Sequence, residues 1–195
     1  RRIVQEVNAA PDLDAVLGII VRRVREAMGT EVCSVYLADT AHQRMVFKAT
    51  EGLNRAMVGQ LSLGRSEGLV GLVALRAEPI NLDDAQHHPN YHYLPEIGEE
   101  PFNAFLGVPI IHHRRILGVL VVQQKAVRRF DESEEAFLVT LSAQLAGVIA
   151  HAEATGSVEV PSGEARRGTE RADARFVGVP GAPGVAIGTG VVMFP

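Results

Sequence analysis

Two apolar runs in the middle of the chain determine how the other segments must be arranged. Residues 105–111 and 116–124 are rich in Val, Ile, Leu and Phe, and only the basic segment 112–115 separates them. This pattern predicts an antiparallel hairpin with an exposed, charged turn. Because the apolar residues follow one another instead of alternating with polar ones, other parts of the chain must cover both faces of the sheet.

Two long amphipathic helices are predicted, one on each side of the hairpin in the sequence. The first can begin at Pro11, carries apolar residues at helical spacing and ends at Gly29. The second begins at Asp131, and Glu134 three residues later is typical of a capping box. Both helices should cover one face of the sheet and leave apolar surface for pairing two copies of the chain. The predicted apolar stripe of the second helix consists of Phe137, Leu138, Leu141, Leu145, Val148, Ile149 and Ala152.

Three further strands are predicted, at residues 32–38, 45–50 and 79–82. In the first of them, Cys33 and Tyr36 point to opposite faces, because side chains alternate along a strand. The apolar residues share the face of Cys33, which predicts core on that side and a more polar surface beside Tyr36.

A short helix is predicted within residues 64–77, where glycines lead into an apolar run. Ser66 can cap it, and Glu67 suits its positive end. The glycine spacing matches neither a dinucleotide fingerprint nor a phosphate loop. Free amides at a helix start can still attract a carboxylate or phosphate, with Arg65 close by. The alternative is a capped helix that binds nothing.

A long polar loop follows at residues 83–101 and is typical of a lid or binding loop, or of a disordered segment. It contains His87, His88 and His92. These histidines do not predict a zinc site, because no cysteine accompanies them and the segment has no helical periodicity.

Composition narrows the classes of function. The net charge of −4 provides no basic footprint for nucleic acid. No apolar segment approaches the roughly 20 residues of a membrane-spanning helix, and residues 1–29 lack the pattern of a signal peptide. The single cysteine, Cys33, excludes an internal disulfide, suits a reducing cytoplasm and lies in mid-strand, where packing is the expected role. Neither a Ser/His/Asp constellation nor paired carboxylates emerge, so this chain is expected to be non-catalytic.

The two ends of the chain differ from its middle. Residues 1–9 carry a helical apolar stripe and are interpreted as the end of a further helix. Residues 153–175 are rich in Gly, Ser, Ala, Glu and Arg, which predicts a flexible linker. Residues 176–195 are apolar and glycine-rich but too few to fold alone, so we interpret them as the start of a truncated domain. The main domain then comprises residues 1–152.

The order of these elements, with the segments FLGVPI, ILGVLVVQQK and FDESEEAFL, resembles a GAF domain over residues 1–152. The resemblance implies an α+β fold: a central antiparallel sheet with two long helices on one face and a short helix and loops on the other. In the cyclic-nucleotide subgroup an Asn-Lys pair follows the last strand. Gln124 takes the place of that asparagine here, which disfavours a cyclic nucleotide as ligand.

The last segment, GVPGAPGVAIGTGVV, resembles the opening of the phosphoenolpyruvate-utilising portion of enzyme I of the phosphotransferase system. Together with a GAF domain it resembles the nitrogen-related enzyme I family, the phosphoenolpyruvate-protein phosphotransferases. The resemblance implies a parent that phosphorylates its own histidine from phosphoenolpyruvate with magnesium and passes the phosphoryl group to a phosphocarrier protein. The residues for that chemistry would lie beyond Pro195, and no cofactor is expected in this fragment.

The resemblance therefore implies a regulatory sensor, with glutamine or 2-oxoglutarate as the ligand. A carboxylate needs an Arg or helix-start amides, and an ammonium needs a carboxylate. The candidates for the first are Arg65, Ser66, Glu67 and Gly68, those for the second are Asp83 and Asp84, and the wall residues are Tyr36, Asn103 and Phe105. The competing hypothesis is a module that binds no small molecule and serves dimerisation or protein docking.

Overall fold

The computed structural model describes residues 12–158, all within the compact unit Arg1–Val160. In chain order the helices and strands are α1 (Leu13–Met28), β1 (Val32–Asp39), β2 (Arg44–Glu51), β3 (Ser62–Gly64), α2 (Gly68–Arg76), β4 (Ile80–Leu82), β5 (Ala104–His112), β6 (Arg115–Gln124) and α3 (Glu132–Val158). Short 3-10 turns lie at Arg55–Met57, Ala85–His87 and Pro95–Ile97. The helix predicted in residues 1–9 and the truncated domain at 176–195 lie outside the described residues.

The strands form one six-stranded antiparallel sheet in the order β3-β2-β1-β6-β5-β4. The predicted hairpin is confirmed: β5 pairs with β6 from Ala104 opposite Gln124 to His112 opposite Arg115. The two residues of its turn, His113 and Arg114, both have positive φ, at 47° and 62°. This left-handed backbone matches the twist of the flanking strands, which is why two-residue hairpin turns adopt it.

Each face of the sheet carries its own hydrophobic core. On one face α1 and α3 pack over the side chains that share the face of Cys33, and Leu17 of α1 and Leu138 of α3 are fully buried there. On the other face α2 and the loops cover Tyr36 and Phe105. The predicted fold is confirmed, with two long helices on one face and a short helix and loops on the other.

Local signals fix where the long helices begin. Helix α1 starts after Asp12, whose carboxylate accepts a hydrogen bond from the amide of Ala15 at 2.7 Å, so the aspartate and not Pro11 defines the start. The capping box of α3 is confirmed: the Glu134 amide donates to Asp131 at 2.8 Å, and the Asp131 amide donates to Glu134 at 3.1 Å.

Two expectations for α3 were wrong. The helix continues to Val158, past the linker boundary predicted at residue 153, because residues such as Glu153 and Ala154 are good helix formers even where they bury little. Phe137, assigned to the buried stripe, is 43% exposed. Leu138, which was assigned to the same stripe, is fully buried, so Phe137 lies at the edge of the buried face and not within it.

A matched pair of glycines tests the packing of the central strands. A Cβ at Gly118 of β6 would lie 2.1 Å from the carbonyl oxygen of Tyr36, whereas a Cβ at Gly18 of α1 would meet nothing within 4 Å. Gly118→Ala should therefore lower the free energy of unfolding by about 2 kcal/mol. Gly18→Ala should raise it by about 0.5–1 kcal/mol, because glycine weakens a helix. Urea unfolding of both variants measures this, and equal effects would contradict the proposed strand contact.

Candidate functional site

A small cavity lies between the sheet and α2. The sheet contributes Tyr36 from β1, Phe105 from β5 and Gln123 from β6. The other lining residues come from β3, the first turn of α2 and the loop between β4 and β5: Leu63, Gly68, Leu69, Val70, Ala85, Tyr91, His92, Leu94 and Glu99. The volume is about 20 Å³, enough for roughly one water molecule.

Polar groups inside this cavity are only partly satisfied. The Gln123 amide nitrogen donates to a carboxylate oxygen of Glu99 at 3.3 Å. The Gln123 carbonyl oxygen and the Tyr91 hydroxyl are buried without a hydrogen-bond partner among the described residues. Buried polar atoms are normally paired, because leaving one unpaired costs roughly 1–3 kcal/mol. The cavity therefore has an unused acceptor and an unused hydroxyl beside an acidic group.

Glu99 is the acidic group of the cavity, and its surroundings disfavour its charge. Burial raises the pKa of Glu99 to about 7; the hydrogen bond from Gln123 opposes that rise and the nearby charge of Glu100 adds to it. Burial raises the pKa of Tyr91 to about 12, with a further contribution from Glu99, and the pKa of Tyr36 is raised for the same two reasons. A cation placed against Glu99 would favour its ionised form.

The positive end of α2 faces the same cavity. Glu67 precedes the helix without capping it through its side chain, and the first backbone bond of the helix runs from the Gly71 amide to the Glu67 carbonyl at 3.0 Å. The amides of Gly68, Leu69 and Val70 precede that bond, and these three residues line the cavity. Amides in this position attract negative charge. The cavity thus has an anion-favouring end at α2 and an acidic group at Glu99.

Hydrogen bonds anchor the loop that carries Glu99 near its middle and where its two ends meet. Near its middle, the Asn54 side chain donates to the Glu96 carbonyl at 2.8 Å, and the Asn54 amide donates to the Ile97 carbonyl at 3.0 Å. At its edges, the Ala85 amide donates to the Asn103 carbonyl at 2.7 Å. These bonds hold the loop over the sheet, as expected for a loop that closes a binding site.

Of the predicted wall residues, the structure places Tyr36 and Phe105 in the cavity, together with Gly68. Asn103 lies outside the lining, and its side chain donates to the Lys125 carbonyl at 2.7 Å. Its role is to anchor the loop. Alternation along β1 and β5 was sufficient to identify the two aromatic residues.

The other predicted ligand residues are distributed differently. Glu67 forms an ion pair with His92 at 3.0 Å at the edge of the cavity. Asp83 is exposed, and a carboxylate oxygen of Asp84 accepts a hydrogen bond from the His87 ring at 2.6 Å.

Arg65 and Ser66 face away from the cavity and line a separate cleft. Ser66 does not cap α2: the residue before the helix is Glu67, whose carboxylate instead accepts from the Gly64 amide at 2.8 Å. Three glycines in this segment allowed several turn geometries, and the sequence did not distinguish them.

The polar side chains of the lining that were not predicted are Tyr91, His92, Glu99 and Gln123. Gln123 did carry a signal, because it is a polar residue on the otherwise apolar face of β6 and lies opposite Phe105. Glu99 carried none, since its position depends on the path of an irregular loop.

Metal and thiol chemistry receive no support from the described part of the chain. Within residues 12–158 no three His, Cys, Asp or Glu side chains are grouped to hold a metal ion. Cys33 is fully buried in the core under α1 and α3, and that burial raises its thiol pKa. A thiol kept protonated and inaccessible is unreactive.

Comparison with known proteins places this arrangement in a family. The family model of the GAF domain matches residues 12–149. A "Phosphoenolpyruvate-dependent phosphotransferase system" protein of Salmonella typhimurium is 49% identical over 190 residues, which are 97% of this chain and 24% of that protein. The chain therefore spans about a quarter of the length of this curated relative.

Two solved structures resemble the described fold. The GAF domain from a phosphoenolpyruvate-protein phosphotransferase of Coxiella burnetii is 51% identical, with a TM-score of 0.76 over 80% of this chain and 94% of that one. The GAF domain from an Acinetobacter phosphoenolpyruvate-protein phosphotransferase is 49% identical, with a TM-score of 0.72 and the same coverage.

The raised pKa of Glu99 predicts how stability depends on pH. Between the ordinary value of 4.5 and the folded value of about 7, the folded chain holds a proton that the unfolded chain has lost. Stability should therefore fall as the pH rises through this interval. Glu99→Gln stays neutral and should remove the fall. At alkaline pH its free energy of unfolding should exceed that of the unsubstituted chain by about 3 kcal/mol, with little difference below pH 4.5.

Urea unfolding at several pH values measures the difference. Glu96→Gln, an exposed position on the same loop, is the control and should follow the parent. Parallel profiles for Glu99→Gln and the parent would show that Glu99 is not buried as described.

Proposed function

The chain belongs to the GAF domain family, and from this we propose that it is the small-molecule-sensing regulatory domain of a phosphoenolpyruvate-protein phosphotransferase of the nitrogen-related phosphotransferase system. The relatives support the phosphotransferase part of this proposal, since the two similar solved structures are GAF domains of phosphoenolpyruvate-protein phosphotransferases. Regulation, and not catalysis, is the proposed role, because residues 12–158 contain an enclosed polar cavity but no catalytic constellation.

The proposed ligand is a free amino acid, with glutamine first. One observation carries this proposal: helix-start amides and a carboxyl group border the same cavity. A ligand carboxylate can bind the amides of the first turn of α2, and its ammonium can bind Glu99. The side-chain amide of glutamine offers a donor for the unpaired Gln123 carbonyl oxygen and an acceptor for the Tyr91 hydroxyl.

The same chemistry favours glutamine over 2-oxoglutarate. The oxoacid carries two carboxylates and no cation, so it leaves Glu99 unpaired and places a like charge near it. Its binding would require Glu99 to be protonated, which costs free energy above a pH of about 7. Glutamine, in contrast, supplies the cation that Glu99 lacks.

Binding of any amino acid also requires the cavity to open, because a volume of about 20 Å³ is several times too small. In this proposal the loop between β4 and β5 moves, because its course is irregular apart from two short 3-10 turns. The bonds from Asn54 to the Glu96 and Ile97 carbonyls would break as it opens. Its movement would convert ligand binding into a change at the domain surface, which is how a loop closure can signal.

The proposal extends to the whole parent protein. In the parent, this domain would control transfer of a phosphoryl group from phosphoenolpyruvate to a phosphocarrier protein in the cytoplasm. Magnesium would serve that reaction in parts of the full-length protein outside the described residues. We assign no step of the transfer to this chain.

Glutamine binding is the first prediction of the proposed function. Glutamine should raise the melting temperature of the chain, because a ligand at a hundredfold its dissociation constant adds roughly 2.7 kcal/mol to stability. Glu99→Gln should weaken glutamine binding at least roughly tenfold, because the ligand ammonium loses its partner. Asp83→Asn, an exposed acid at the start of the same loop, is the matched control and should bind normally.

Calorimetric titration gives the affinities directly. A melting temperature that responds to 2-oxoglutarate and not to glutamine would overturn the ligand assignment. So would equal glutamine affinity in Glu99→Gln and the parent.

A second candidate function is dimerisation, and the exposed surface of α3 favours it. Residues 132–155 are long and apolar enough for a membrane span, but core helices of soluble proteins pass the same test, and Leu138 and Leu145 pack against the sheet here. Only 33% of the most apolar segment of this helix is buried. Phe137 is 43% exposed and Val139 is 40% exposed. The two residues lie on opposite borders of the buried face, so pairing with a second copy would cover the side that carries Phe137.

Phe137→Glu tests the dimer. The unsubstituted 195-residue chain should sediment as a dimer at micromolar concentration. A charge at this exposed apolar position should shift it to the monomer. Val127→Glu, 64% exposed but outside α3, is the control and should remain dimeric. If the unsubstituted chain is monomeric by analytical ultracentrifugation, dimerisation is excluded as a function of the isolated chain.

A further inference from the structure

A second hollow of about 630 Å³ lies where three connections of the chain meet. It is lined by the turn between β1 and β2, the turn between β5 and β6, and the segment between β3 and α2. Each connection contributes basic side chains, and we name the hollow the arginine cleft after Arg44, Arg65, Arg114 and Arg115. None of these residues lines the cavity that contains Glu99.

Positive charge in the cleft is not fully compensated. Asp39 is the acidic residue of the lining, and it is bonded to Arg44 at 3.0 Å and to His42 at 2.9 Å. Arg115 lies within the electrostatic influence of Glu153. Arg65 and Arg114 form no ion pair with any other residue of the described range 12–158. Like charges gathered around one hollow repel one another unless an anion offsets them.

The turn that carries Arg114 adds a second observation. His113 and Arg114 hold positive φ values of 47° and 62°. Glycine and asparagine adopt this backbone most easily, whereas other residues adopt it at a cost in free energy. The turn thus places an arginine at the cleft, although an uncharged Asn-Gly pair would suit this backbone better.

We propose that the arginine cleft binds a small anion that carries at least two phosphate or carboxylate groups. The guanidinium fork binds both groups through paired hydrogen bonds, and arginines from separate segments can hold separate groups of one ligand. The volume lies within the range of small-molecule pockets. Leu75, which is 69% exposed, and Ile116 give the cleft an apolar side that suits a compact carbon skeleton. This site is separate from the proposed amino-acid site.

Calorimetric titration of the 195-residue chain at low ionic strength tests the proposal, with pyrophosphate and citrate as probes. The double variant Arg65→Ala/Arg114→Ala should bind the preferred probe at least tenfold more weakly. The charge-matched control is Arg22→Ala/Arg129→Ala, which removes two exposed arginines outside the cleft and should bind within twofold of the parent. Tighter binding of pyrophosphate assigns the ligand to phosphates, and tighter binding of citrate assigns it to carboxylates.

Two further variants serve as controls. One shows that a loss of affinity is not caused by misfolding, and the other shows that the probe does not bind at the proposed amino-acid site. Arg114→Asn suits the left-handed turn, so it should fold at least as well as the parent and still lose affinity for the probe. Glu99→Gln should leave that affinity unchanged. The proposal is overturned if neither probe binds at millimolar concentration, if the control pair weakens binding as much as the cleft pair, or if Glu99→Gln abolishes it.

Discussion

The whole fold depends on strands that are buried on both faces. The first six residues of β1 are all buried, and so are seven consecutive residues of β6. Other parts of the chain must therefore cover the apolar side chains on each face of the sheet. Burial of these side chains is the main source of the fold's stability. The two long helices α1 and α3, which are far apart in the sequence, cover one face. The short helix α2 and an irregular loop cover the other.

The two faces of the sheet are covered with different closeness of packing. The looser packing on one face leaves the cavity that contains Glu99. Regular helices can match an apolar face closely, as α1 and α3 do. A nine-residue helix with a loop cannot, and beneath this second cover Gln123 of the sheet meets Glu99 of the loop. Burying polar groups with too few partners costs free energy. A ligand that satisfies them recovers part of this cost, which links the imperfect cover to binding.

Sequence patterns could predict whatever depends on neighbouring positions. Alternation identified Tyr36 and Phe105, and the spacing of Asp131 and Glu134 identified the start of α3. For the proposed acidic partner the sequence indicated Asp83 or Asp84, whereas the acidic residue that lines the cavity is Glu99. All three lie on one loop, and its path depends on distant bonds such as that from Asn54 to Glu96. Contacts between residues this far apart leave no local pattern.

Helix α2 connects the two hollows on its sides. Its first turn lines the cavity with Glu99, and Ala74 and Leu75 near its end line the arginine cleft. The helix is held closely at its start, since a Cβ at Gly71 would lie 2.4 Å from the backbone of Ser66. Helix α2 therefore forms a wall of both hollows. If a ligand at one hollow displaces α2, the other hollow changes with it, and by linkage each ligand then alters the affinity of the other by the same factor.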